Sequence, residues 1–149
     1  REIIPDCALS TDIIAGFPSE TIEDHLQTLD LMRNVEFDGA FMFKYSARQG
    51  TKAYNMDDDV PESEKIARLN EIINIQNKIS YKKNQLEIGK SYEILVEGKS
   101  KKNPSEWMGR TKSNKVVIFD NTKLNSNAGD LIDVKIYKAN SATLFGSIL

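Results

Sequence analysis

The apolar residues of this chain change their rhythm near residue 85, and that change limits the folds open to it. Before that point they fall into two short continuous runs and two helical stripes. After it they fall into short segments of β-branched and aromatic residues separated by turn-forming residues. One packing rhythm cannot serve both patterns, so the chain reads as α/β followed by all-β, divided at 1–84 and 85–149.

In the first part, Ser10–Phe17 is a short apolar run closed by Gly16 and Pro18, as a buried parallel strand requires. Ser19 and Thr21 supply capping hydroxyls, and Glu20, Glu23 and Asp24 suit the positive end of a helix that starts there. Ile22, Leu26, Leu29, Met32 and Val35 recur every three or four residues and predict one buried helix face. Ala40–Phe43 is a second continuous apolar run, read as a fully buried strand, which makes the segment a βαβ unit. Asp57–Asp59 reads as a solvated acidic loop before Pro61, a residue that fits the first helical position. From Glu62 to about Lys83, Ile66, Leu69, Ile72, Ile73 and Ile79 mark a long amphipathic helix that bridges the two parts.

In the second part, Tyr92–Glu97, Trp107–Thr111, Val116–Phe119, Leu131–Tyr137 and Thr143–Ile148 read as strands. Gly98, Asn103-Pro104, Ser113-Asn114, Asn125–Gly129 and Asn140 supply the turns. Five strands in so short a span leave no exposed edge if they close into a small barrel.

Charge follows the same division. Residues 1–80 hold 8 Lys and Arg against 15 Asp and Glu, a net −7; residues 81–149 hold 12 against 7, a net +5. The basic part is therefore the candidate for a polyanionic partner. Lys99, Ser100, Lys101 and Lys102 open one loop, and Arg110, Thr111, Asn114 and Lys115 surround a hairpin turn. Trp107, Tyr92 and Phe119 offer stacking surfaces, although some of them must fill the core. Cationic loops beside an aromatic face suit a phosphate backbone with unpaired bases.

Other chemistries are limited by composition. The 149 residues include one cysteine, Cys7, and one histidine, His25. That excludes a disulfide within the chain, and a Cys/His zinc site or a cysteine-ligated cluster built from this chain alone. Cys7 reads as a buried inert thiol and His25 as a surface helix residue. No apolar stretch reaches the roughly 20 residues of a membrane helix, and no secretory pattern opens the chain, so no membrane association and a cytoplasmic setting are expected. The chain begins at Arg1 rather than Met, as a piece of a longer protein would. Ligands of α/β folds bind where strands run into helix starts. That draws attention to Asp12, Gly16 and Phe17 after the first strand, and to Tyr45, Ser46 and Arg48 after the second.

Thr11–Thr21 closely resembles the TDIIVGFPGET signature of the radical S-adenosylmethionine methylthiotransferases. Tyr45–Ala53 resembles their YSPRPGTPA segment, and Arg68–Gln76 the helix that follows it. Leu95–Lys102 and Gly109–Val117 are similar to the VEGxSKK and GRTxxNxxV patterns of their TRAM domain. Ser19, Ala47 and Gln49 depart from the family pattern, which has Gly, Pro and Pro there. The resemblance implies a βαβα piece of a partial (β/α) radical S-adenosylmethionine barrel, joined by the long helix to a five-stranded TRAM β-barrel.

It also implies a function. The full-length protein would add a methylthio group to C2 of an N6-isopentenylated adenosine in the anticodon region of tRNA. It would use S-adenosylmethionine, two 4Fe-4S clusters, a reductant and a sulfur donor. Asp12, Gly16, Phe17, Tyr45, Ser46 and Arg48 carry over as S-adenosylmethionine or substrate contacts. Lys99, Ser100, Lys101, Arg110, Thr111, Asn114 and Lys115 carry over as tRNA contacts. The six cluster cysteines of the family are absent, so this piece alone is expected to be monomeric, to bind none of these cofactors and to be inactive. No residue of it is assigned a catalytic or metal-ligating role. The alternatives are a sibling enzyme acting on threonylcarbamoyl-adenosine or on a ribosomal-protein aspartate, and a non-catalytic RNA-binding module.

Overall fold

A computed structural model of the chain describes residues 3–4, 7–101, 103–122 and 124–149. Lys102 of the first basic loop lies outside the described residues. The chain forms two units, one of Leu9–Ile79 and one built on Ser80–Leu149.

In the first unit, β1 (Ser10–Ala15) and β2 (Gly39–Lys44) pair in parallel, Asp12 opposite Phe41 and Ile14 opposite Phe43. The helix between them, α1 (Ile22–Val35), starts on a reciprocal cap. Thr21 Oγ1 accepts from the Asp24 amide at 3.1 Å, and Asp24 Oδ2 accepts from the Thr21 amide at 3.0 Å. Hydrogen bonds from the backbone and hydroxyl of Thr21 hold the Asp24 carboxyl below its usual range. The helix ends at Glu36, whose left-handed backbone (φ 50°) returns its amide to the Met32 carbonyl. A short 3-10 turn follows β2 at Lys52–Asn55.

The long helix α2 (Glu62–Gln85) follows Pro61 and contributes residues 62–79 to this unit. The core is Ala15, Leu29, Met32, Ile72 and Ile79, with Ile13, Met42 and Leu69 packed against it.

Four expectations change here. Only Ile13, Ala15 and Met42 of the strands turn toward the helices, while Ile14, Phe41 and Phe43 are more than half exposed. A strand has two faces and both helices cover the same one, so the runs are half-buried rather than fully buried. Ile22 and Leu26 of α1 and Ile66 of α2 are exposed as well. The buried stripes include polar residues instead: His25 on α1, and Lys65, Arg68 and Gln76 on α2. His25 is thus a buried residue, not a surface one; Nε2 lies 2.8 Å from Glu71 Oε2. Cys7 is partly exposed rather than buried. Of the acidic run, Asp59 accepts from the Ser19 amide at 2.7 Å and Asp58 pairs with Lys65.

The second unit is a closed barrel with strand order β3-β4-β5-β7-β6. Its strands are β3 (Ser91–Lys99), β4 (Trp107–Thr111), β5 (Val116–Phe119), β6 (Leu131–Ala139) and β7 (Leu144–Ile148). All neighbours are antiparallel except β5 and β7, which are parallel. Burial alternates along β3 and β6, as a filled small barrel requires. Ile94, Val96, Val117, Phe119, Val134, Ile136 and Leu144 fill the interior. Gly109 admits the close approach of β3: a Cβ there would lie 2.6 Å from the Leu95 carbonyl oxygen and 2.9 Å from Ile94 Cδ1. Register shifts between Val96 and Gly98, and between Ile136 and Lys138, mark bulges that bend the strands.

The last turns of α2 belong to this second unit. Asn84 is buried and donates to the carbonyls of Asn140 (2.9 Å) and Ser141 (3.3 Å). Its Oδ1 accepts from Lys115 Nζ at 2.8 Å, and Gln85 donates to the Ala139 carbonyl at 2.9 Å. The barrel's hydrogen bonding therefore begins within the helix.

Candidate functional site

In the first unit, the segment after β1 is built around Gly16. Its φ of 71° is left-handed, and an added Cβ would run into the stem of buried Lys65. The Gly16 amide donates to Glu20, so it is taken up within the protein. Glu20 also lies 3.3 Å from Arg68, whose Nη1 donates to the Glu20 carbonyl at 2.8 Å and whose Nη2 pairs with Glu64. Burial weakens the charged form of Arg68, but Glu64 and Glu20 outweigh it and raise its pKa.

Tyr45 is buried after β2, and its hydroxyl donates to the Ala53 carbonyl at 2.9 Å. Phe17 stacks edge-on against it with ring centres 5.3 Å apart, and Lys65 Nζ lies 5.3 Å from the centre of the Tyr45 ring. Gly16, Phe17 and Tyr45 thus come together as one packed corner. Asp12, Ser46 and Arg48 are exposed and keep their side chains for solvent or a ligand. Asp12 shares its sheet face with Ile14, Phe41 and Phe43.

In the second unit, the residues read as RNA contacts divide by exposure. Lys99 and Lys101 are exposed at and beyond the end of β3. Arg110 is half-exposed; its Nε donates to Glu97 at 2.9 Å and its Nη1 to the Asn114 carbonyl and side chain at 3.2 and 3.1 Å. Asn114 holds the left-handed corner of the β4–β5 turn (φ 62°) and is exposed. The remaining three turn inward. Ser100 is buried, and its amide donates to the Glu106 carbonyl at 2.8 Å. Thr111 is buried, and its hydroxyl accepts from the Lys115 amide at 3.1 Å. Lys115 reaches Asn84 and Glu87.

Glu87 is the acid of this joint. Burial pushes its carboxyl up, but hydrogen bonds from Tyr92 and Lys90 and the charge of Lys115 outweigh burial and leave it below its ordinary value of 4.5. Reading by residue type marks Lys115 as a cation for RNA and misses Asn84 and Glu87 as its partners. The only signal was that all three are polar residues flanking apolar segments.

The sequence reading also missed a cleft of about 260 Å³ at one end of the barrel, lined by Trp107 and the loop after β5. Among the described residues no group of three or more His, Cys, Asp or Glu is arranged to hold a metal ion. No helix among them is long and apolar enough to cross a membrane.

Comparison with known proteins gives concordant matches. A family model described as TRAM domain matches residues 85–149. The tRNA-2-methylthio-N(6)-dimethylallyladenosine synthase of Parabacteroides distasonis is 55% identical over 98% of the chain. The protein of the same name from Phocaeicola vulgatus is 54% identical over 98% of it, and that from Porphyromonas gingivalis 51% identical over all of it. In each case the chain spans 32% of the relative's length. Residues 85–149 match the TRAM domain model, and the chain along nearly its whole length is similar to the tRNA-2-methylthio-N(6)-dimethylallyladenosine synthases.

Proposed function

We propose that this chain is part of a tRNA methylthiotransferase that acts on C2 of N6-isopentenyladenosine beside the anticodon, and that its barrel grips the tRNA. The observation that carries this reading is the closed barrel of residues 85–149 with exposed Lys99 and Lys101 and half-exposed Arg110 near the β3–β4 edge. Three cations at one edge neutralise successive phosphates and release counterions, which is how such modules gain affinity. Lys99, Lys101, Arg110 and Asn114 make the direct contacts; Ser100, Thr111 and Lys115 hold the loops that present them.

The reaction places a group on an aromatic C–H, which needs radical chemistry supplied by S-adenosylmethionine and iron–sulfur clusters. The residues of this chain do not fit a cluster, since a cluster takes several thiolates and the sequence holds only Cys7. Residues outside this chain would have to ligate both clusters, and by itself the chain is inactive. Toward S-adenosylmethionine or substrate, Asp12, Ser46 and Arg48 are the groups free to make contact. Gly16, Phe17 and Tyr45 form the corner that sets their positions. Arg48 suits a carboxylate through two parallel hydrogen bonds.

The test is mass spectrometry of tRNA nucleosides from cells lacking the intact gene. Loss of the 2-methylthio group from isopentenyladenosine, restored by the gene, is the expected result. Loss of methylthiolation from threonylcarbamoyl-adenosine, or from a ribosomal protein, would assign the chain to a sibling enzyme. An unchanged nucleoside profile would overturn the reading.

A further inference from the structure

The cleft at the end of the barrel has a composition unlike the rest of the surface. Its volume is about 260 Å³, slightly below the ~300–1,000 Å³ of sites for drug-sized ligands, a size suited to one planar heterocycle. Among the described residues no charged side chain lines it. One wall is Trp107, which packs partly against the barrel core and partly lines the opening. The loop after β5 supplies most of the other lining residues and is clamped by two buried hydrogen bonds: Asn121 Nδ2 to the Ser126 carbonyl (2.8 Å) and the Ser126 amide to Asn121 Oδ1 (3.0 Å). That clamp leaves the Ser126 hydroxyl buried with no protein partner, on a residue only 5% exposed. Buried hydroxyls are nearly always satisfied, and Ser126 itself lines the cleft, so its unpaired hydroxyl marks a place where a ligand atom can be taken up. Asn125 and Asn127 also line the cleft, with side-chain amides that make no hydrogen bond among the described residues.

Register adds the last element. Lys99 pairs directly with Trp107 across β3 and β4, so the ammonium and the indole share one face of the sheet. An aromatic ring, uncharged donors and acceptors around an open cleft, and a cation beside it describe a base with its phosphate.

We propose that this cleft holds one unstacked nucleobase of bound RNA, its face on Trp107, its edge on Ser126 Oγ and the Asn125 and Asn127 amides, and its flanking phosphate on Lys99. The proposal rests on the RNA-binding reading of this barrel, and adds to it a pocket that separates unpaired from paired RNA.

Trp107 is the only tryptophan, so its fluorescence reports on the cleft directly. The whole chain is titrated with a single-stranded RNA oligonucleotide and with a blunt duplex carrying the same number of phosphates, across a series of salt concentrations. The single strand should quench Trp107 emission and the duplex should not. Trp107→Leu should weaken single-strand binding by about 5- to 150-fold, the range that one base stack provides. Ser126→Ala breaks no protein hydrogen bond, so the fold is kept; it should weaken single-strand binding without changing the slope of log K against log salt. Lys99→Ala should reduce that slope. Salt-dependent binding with no quenching and with Ser126→Ala at wild-type affinity would overturn the pocket and leave the RNA-binding reading standing. No binding of either RNA at low salt would overturn both.

Discussion

Replacing Asn84 with alanine should destabilise the barrel although Asn84 lies in a helix outside it. The side chain makes three hydrogen bonds within the second unit: two to the carbonyls of Asn140 and Ser141, and one from Lys115. Alanine would leave two carbonyl oxygens and one ammonium short of a partner at a buried position. Each unsatisfied buried group costs about 1–3 kcal/mol, less where water can enter. Lys115 keeps Glu87 at 3.5 Å, and neither Asn140 nor Ser141 is a buried residue, so the expected loss is about 2–4 kcal/mol. A unit of this size has a total stability of only about 4–10 kcal/mol, so the loss is a large share of it. Denaturant unfolding followed by Trp107 fluorescence reads this unit alone, because no tryptophan lies in the first unit. Lys115→Met provides the control, and the double variant should show coupling of at least about 0.5 kcal/mol between the two sites. A change below about 0.5 kcal/mol in Asn84→Ala, in the range of an ordinary surface substitution, would refute the claim that the barrel's structure begins inside α2.

Three further outcomes follow from the same contacts. Glu87 has a depressed pKa in the folded chain, so its contribution to stability is present above 4.5 and is lost as pH falls through the folded value. The stability gap between wild type and Glu87→Gln, read by Trp107, should therefore close on acidification; a gap that stays constant would contradict it. Gly109→Ala should cost about 2–3 kcal/mol, because the new methyl meets the Leu95 backbone, and Gly146→Ala less, because its neighbours are side-chain atoms of Val134 and Val117 at 3.2 Å and beyond. The reverse order in denaturation midpoints would be a failure of that argument. Gly16→Ala combines a left-handed backbone with displacement of Lys65, and should cost about 2–4 kcal/mol in the first unit. Hydrogen exchange of α1 and residues 62–79 measures it, and unchanged protection would contradict it.

The barrel was legible because its segments are rich in β-branched and aromatic residues, and Gly, Asn or Pro marks the turns between them. Tyr92–Glu97 and Leu131–Tyr137 lie inside the observed β3 and β6, which extend a few residues further. The first unit was less legible. Counting apolar residues placed Ile66 on the buried face of α2, whereas that face runs through Lys65, Arg68, Ile72, Gln76 and Ile79. A long polar side chain can bury its stem and still pair its head, as Arg68 does with Glu20 and Glu64, and an apolar count does not register it. His25 was misplaced for the same reason, since its partner Glu71 is 46 residues away in sequence. The exposure of Phe41 and Phe43 depends on how many faces of the sheet are covered, which no local pattern encodes. At the candidate interface, residue type marked Arg110 and Lys115 alike. Only the fold separates the half-exposed one from the one tied to Asn84 and Glu87.

The central claim is that exposed cations at the β3–β4 edge hold tRNA phosphates. It is tested most directly by titrating the whole chain with tRNA over a range of salt, alongside a variant with Lys99, Lys101 and Arg110 all changed to Ala. Each phosphate contact adds about 0.7–0.9 to the slope of log K against log salt, and Arg110 already shares its charge with Glu97. The account predicts a slope shallower by about two in the variant, with the Trp107-reported unfolding midpoint unchanged. Equal slopes for the two proteins, or no tRNA binding by the wild-type chain at low salt, would contradict it.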